Sequence, residues 1–276
     1  MAIKDHDIKK YKNIVQSNHN FFKQFYYHSI IDSNLIKFDS ILENGILTKK
    51  MIEYSGLPTL YTHSADDYDS KNGNDFISLT QYTNKTSLSL MFESFAWHTL
   101  SSLSLMIDKN IKTTSIGDKE TYFDDEIFSS LTISTDNIKG ILLPDILSNK
   151  TFDRICPLAN DLTCYTRGYI NNWIYQVEEY FNQTIDKEKI LGSVNELWDI
   201  LNKDGSPEKW FNYALERQKY DTGSNVNEVL ANIIKELWQN KLKLENPKFI
   251  DVVKIINDDR YPIYEIKEKE LVKILK

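Results

Sequence analysis

The chain has 276 residues, with 33 Lys+Arg against 40 Asp+Glu and a net charge of −7. That balance excludes a globally basic nucleic-acid-binding chain, though not a local patch. The 41% apolar and 26% charged content is that of a folded globular protein, not a disordered one. Two cysteines, Cys156 and Cys164, cannot build a disulfide framework or a four-ligand zinc site alone. There is no apolar run long enough for a membrane helix and no apolar segment near Met1 to act as a secretory signal. The expected location is the cytoplasm.

In chain order, residues 4–19 predict a short polar helix. The aromatic run Phe21-Phe22-Lys23-Gln24-Phe25-Tyr26-Tyr27-His28 predicts a strand. Ser33-Asn34-Leu35 opens a helix whose apolar positions are Leu35, Ile36, Phe38, Ile41 and Leu42, and Asn44-Gly45 closes it. Residues 55–75, rich in Gly, Asp and Asn, read as a polar flap. Residues 76–80 read as a strand, and 86–98 as a helix with Leu88, Met91, Phe92 and Phe95 on one face. Strands follow at 103–107 and 138–143, the latter stopped by Pro144, with an extended segment between them at 126–133.

The second half reads as helical, over 168–183, 186–202, from Ser206-Pro207 and over 225–244. Another helix starts at Asn246-Pro247, and 261–266 reads as a late strand. All five histidines precede residue 100, whereas Trp173, Trp198, Trp210 and Trp238 follow residue 150 and sit on apolar helix faces expected to be core. The expected division is 1–150 and 151–276, the second region packing on the first.

The common catalytic signatures GxGxxG, GxxxxGK[ST], HExxH, GxSxG and CxxC are missing. The run Asp66-Asp67-Tyr68-Asp69 lacks the glycine and distal glutamate of a calcium loop, so no metal site is expected. His63 fits a solvated loop, and His98 a cation at a helix C-terminus.

What remains is an ordered constellation. It runs from Tyr26-Tyr27-His28-Ser29, through Leu35 to Gly45-Ile46-Leu47, to Phe76-Ile77-Ser78-Leu79-Thr80. It continues with Asp124-Asp125-Glu126-Ile127 and ends at Ile138-Lys139-Gly140-Ile141-Leu142-Leu143-Pro144. Over about the first 150 residues this succession resembles the ADP-ribosyltransferase superfamily, which includes poly(ADP-ribose) polymerase-like enzymes and bacterial toxin transferases. The resemblance implies an α+β fold, with a split mixed β-sheet core and an α-helical C-terminal region. It implies NAD as co-substrate and a protein or nucleic acid as ADP-ribose acceptor, often in toxin or phage-defence settings, where a neutralising partner protein is common.

By the same resemblance Glu126 is the catalytic carboxylate, and His28 holds a ribose hydroxyl with Ser29 beside it. Ser78 and Thr80 line the nicotinamide pocket, and Tyr82 stacks on its ring. A fixed carboxylate suits this chemistry because positive charge develops on the ribose as nicotinamide departs. The sequence also departs from the family pattern. Ser29 stands where the usual His-Gly-Thr places glycine, and His28 stands with Ser78 where one subclass pairs Arg with Ser. The alternative expectation is therefore a binding module of the same fold with a degenerate pocket. A transferase acting on 2′-phosphorylated RNA ranks last, since Lys23 and Lys37 are the only cations near His28 in sequence.

Overall fold

The computed structural model describes residues 9–30, 35–55, 76–114, 126–148, 167–193 and 225–275. The expected flap with His63 and Asp66, the cysteines Cys156 and Cys164, Trp198, Trp210 and the Ser206-Pro207 helix start lie outside them.

Two compact units are present. One contains 2–59, 68–150 and 248–276; the other contains 60–67 and 151–247. The boundary expected at 150 is thus corrected in one respect: the last 29 residues rejoin the first unit. The reason is a seven-stranded sheet whose outer two strands come from the C-terminus.

That sheet has the order β4-β2-β1-β3-β5-β6-β7. Its strands are β1 (Phe25–Ile30), β2 (Ile77–Gln81), β3 (Leu103–Asp108), β4 (Glu126–Ser129), β5 (Ile138–Pro144), β6 (Ile263–Ile266) and β7 (Leu271–Leu275). All neighbours are antiparallel except β5 and β6, which run parallel. A parallel pair needs a crossover connection rather than a hairpin. Here the connection runs through residues 151–247 of the second unit. The result is α+β with a mixed sheet, as expected.

The aromatic run before β1 splits in two. Phe21 and Phe22 close a helical turn, α2 (His19–Phe22), which follows α1 (Lys12–Ser17). Side-chain packing overrides strand propensity there. The buried Phe22 ring meets those of Tyr27, Tyr82 and Phe95, and the Tyr27 hydroxyl donates to the Phe22 carbonyl at 3.0 Å.

Helix α3 (Leu35–Asn44) buries all five apolar positions expected of it. Gly45, at φ +77°, ends it in the left-handed conformation that favours glycine. Ile46 then exchanges both backbone hydrogen bonds with Ile133, at 2.9 and 3.0 Å.

A short helix α4 (Lys49–Ser55) follows. The helix expected over 86–98 is shorter, α5 (Ser89–Phe95), and passes into a π-helical turn over Ala96–Leu100. Phe92 and Phe95 are buried as expected, whereas Leu88 is the exposed residue before the helix.

Helix α6 (Asp145–Ser148) extends β5, and α9 (Phe249–Asn257) precedes β6 after the second unit. Arg260 ties the last turn of α9 to that of α3. Its guanidinium donates to the carbonyls of Ile256, Asn257 and Leu42 at 2.8 to 3.2 Å.

In the second unit, α7 (Arg167–Phe181) and α8 (Asn225–Leu242) pack through Tyr180 and Phe181 against the buried Trp238, as expected of that tryptophan. Residues 187–193 are also helical. Among the described residues, no helix is long and apolar enough to cross a membrane.

Candidate active site

Three of the expected residues arrive on three adjacent strands. Glu126 opens β4, Ser78 lies on β2 and His28 on β1. The pairing of β2 with β4 sets Thr80 opposite Glu126 and Ser78 opposite Phe128, so Ser78, Thr80 and Glu126 share one face. Ser78 then reaches Glu126 diagonally. Its hydroxyl donates to Oε1 at 2.6 Å, a short charge-assisted bond that fixes the carboxylate's orientation.

On its other side Ser78 meets His28 through its backbone. The ladder between β1 and β2 covers only Tyr26–Gln81 and Tyr27–Thr80. Beyond it, β1 continues to pair with β3 as far as Ile30, and β2 with β4 as far as Ile77. The sheet opens between His28 and Ser78. The opening is bridged by the imidazole: Nδ1 lies 3.1 Å from the Ser78 carbonyl. A carbonyl only accepts, so Nδ1 carries the proton and, in the neutral ring, Nε2 is left as an acceptor. That Nε2 atom is buried and has no hydrogen-bond partner among the described residues. Buried acceptors are seldom left unpaired, so a ligand hydroxyl is the chemistry this atom asks for.

Burial chiefly, and the charge of Lys37 on α3 next, lower the His28 pKa from 6.5 to about 4, against the opposing bond to Ser78. The ring is therefore neutral near pH 7. The unfolded chain binds a proton there that the folded chain refuses. The resulting stability is fully present above pH 6.5 and lost as pH falls toward 4. We expect the stability difference between wild type and His28→Gln to shrink by about 3 kcal/mol between pH 7 and pH 4, read by urea unfolding. A difference that does not change with pH would contradict the buried neutral ring.

Ser29 lies on the face of β1 opposite to His28, the face that Tyr27, Thr80, Ser78 and Glu126 share. Its hydroxyl sits 3.2 Å from that of Ser104 on β3, which donates to the Thr99 carbonyl in the π-helical turn at 2.8 Å. The Ser29 side chain is thus engaged with β3. Ser104, fully buried in a strand otherwise apolar from Leu103 to Ile107, was not singled out in the sequence. The lone hydroxyl within that run was the available signal.

Tyr82 is corrected. It is 3% exposed and packs on Phe95 and Phe22, with ring centroids 5.2 and 6.0 Å away, so its ring belongs to the core and is not offered to a ligand. Thr80 is buried between Tyr27 and Glu126, where it backs the carboxylate's strand. Among the described residues, no group of three or more His, Cys, Asp and Glu is placed to hold a metal ion.

No protein-family model, curated protein or solved structure matches the chain.

Proposed function

We propose that the chain transfers ADP-ribose from NAD to a macromolecular acceptor, on a sheet of the ADP-ribosyltransferase type that opens between β1 and β2. One observation carries this reading: Glu126, Ser78 and His28 stand side by side on β4, β2 and β1, with Ser78 bonded to both neighbours. The sequence places the three residues far apart, and the strand order alone unites them.

The chemistry asked of each group fits its surroundings. The unpaired His28 Nε2 accepts a ribose hydroxyl of the co-substrate. The Ser78 hydroxyl holds the Glu126 carboxylate in one orientation, facing the charge that develops as nicotinamide leaves. The same carboxylate takes the proton of the incoming nucleophile.

The test is nicotinamide release by the purified chain, joined to thermal unfolding with NAD. At a hundredfold excess over its dissociation constant, NAD adds about 2.7 kcal/mol and raises the melting midpoint by about 5 °C or more. An unmoved midpoint together with no release would sink the enzyme reading. It would favour the binding module, for which Ser29 in place of glycine is the supporting observation.

A further inference from the structure

The hydroxyl protons beside the opening between β1 and β2 can be counted. The register of Tyr27 with Thr80, continued by two residues, sets Ser29 across the opening from Ser78, on the face that carries Glu126. Ser29, Ser78 and Glu126 are all half-buried, so this face of the opening is accessible.

Each hydroxyl has one proton to give. Ser78 gives its proton to Glu126 Oε1 at 2.6 Å. Ser104, opposite Ser29 on β3, gives its own to the Thr99 carbonyl at 2.8 Å, because a carbonyl only accepts. The contact of Ser29 with Ser104 at 3.2 Å therefore runs one way, with Ser29 as the donor. Ser29 and Ser78 are left with lone pairs alone, and the Glu126 carboxylate adds lone pairs and negative charge.

The residue that sets this polarity at Ser29 is out of a ligand's reach. Ser104 is fully buried, as is Thr99 in the π-helical turn. A glycine after His28 would offer no such oxygen.

A surface of acceptors takes N–H groups and rejects lone pairs. A carboxamide carries two N–H donors. A carboxylate carries none, and its charge repels that of Glu126. Where the ladder between β1 and β2 stops, the strand edges leave backbone donors for the carboxamide's own oxygen. Phe128, half-buried and next to Ser78 in the same row, gives a flat ring an apolar wall.

We propose that Ser104 is a positioning residue that fixes Ser29 as a hydrogen-bond acceptor, and that Ser29 and Ser78 thereby select the carboxamide of NAD over the carboxylate of its deamidated form, nicotinic acid adenine dinucleotide. The inference rests on the reading of NAD as co-substrate of this site.

The experiment is isothermal titration of the full chain with each dinucleotide, which needs no acceptor. NAD should bind about a hundredfold tighter or more, as expected of a site whose polar groups lose their partners in the wrong ligand. Ser29→Ala should lower that preference about tenfold, through weaker binding of NAD. Ser104→Ala frees the Ser29 proton to turn toward the ligand, so the preference should fall at least as far, through tighter binding of the carboxylate. Adding Ser104→Ala to Ser29→Ala should change the preference no further, because Ser104 acts only through Ser29. A merely structural Ser104 would weaken both dinucleotides alike.

Equal affinity of the wild-type chain for the two dinucleotides overturns the inference, and so does a Ser104→Ala chain that keeps the wild-type ratio. Should the buried substitution prevent folding, Ser29→Ala carries the test, and an unchanged ratio there overturns it. The expected ratios without nicotinamide release uphold the inference and overturn the transferase reading. Release with equal affinities does the reverse, and a chain that binds neither dinucleotide overturns both.

Discussion

Glu126→Gln should lower nicotinamide release from NAD by a factor of about 100 to 10,000, the range for removing a positioned acid–base group or a preorganised charge. The substitution suits the question because it preserves shape. Glutamine keeps a carbonyl oxygen to accept from the Ser78 hydroxyl, now 2.6 Å from Oε1. What it removes is the negative charge and the proton-accepting capacity.

NAD should therefore still stabilise the Glu126→Gln fold, and the loss should appear in turnover rather than in co-substrate affinity. Release at the wild-type rate in this variant would remove Glu126 from the mechanism. Ser78→Ala separates charge from orientation. It leaves the carboxylate and takes away the bond that aims it, so a smaller loss of turnover is expected than for Glu126→Gln.

The site was legible in sequence as order and illegible as geometry. His28, Ser78 and Glu126 stood out through the spacing of the segments around them. Nothing local revealed that β2 would lie between β4 and β1, because strand pairing is a non-local choice made by the whole core.

Tyr82 shows the converse error. An aromatic residue just past a candidate strand looks available to stack on a ligand, yet Phe22, Tyr27 and Phe95 recruit it into one aromatic cluster. The same cluster explains why a strand-like run over 21–28 begins as a helical turn. Phe22 must leave the strand direction to lie over Tyr27.

The C-terminal boundary failed for a related reason. Residues 225–257 are dominated by helical periodicity; the strand expected over 261–266 is present as 263–266, but nothing local tells that it joins the first sheet, and 271–275 was not read as a strand. Helix α3 was legible almost residue by residue, since its apolar stripe and its terminal glycine both act locally.

That terminal glycine carries the second large effect. Gly45→Ala should destabilise the fold by about 4 kcal/mol, read as a fall in the urea midpoint. Two costs combine. A φ of +77° is a left-handed conformation that an L side chain enters at a penalty of about 1–2 kcal/mol. The added Cβ would also fall 2.4 Å from the Ile133 carbonyl oxygen. That oxygen cannot swing aside, because it accepts the Ile46 amide at 2.9 Å in the bridge joining the end of α3 to the segment before β5. Relief requires moving backbone, and overpacking of this kind adds about 1–3 kcal/mol.

Gly192→Ala supplies the control. The same added methyl there meets nothing within 4 Å, on a helical segment where alanine outranks glycine by about 1 kcal/mol. It should leave stability unchanged or raise it. Equal effects at the two positions would mean that Gly45 is not held left-handed against Ile133.

The functional consequence follows from the chain path. Gly45 turns the chain out of α3, whose Lys37 helps keep His28 neutral, and into the bridge with Ile133. A Gly45→Ala protein that still folds should therefore show a His28 pKa nearer its ordinary 6.5, measured by imidazole NMR titration, before it shows any change at Glu126.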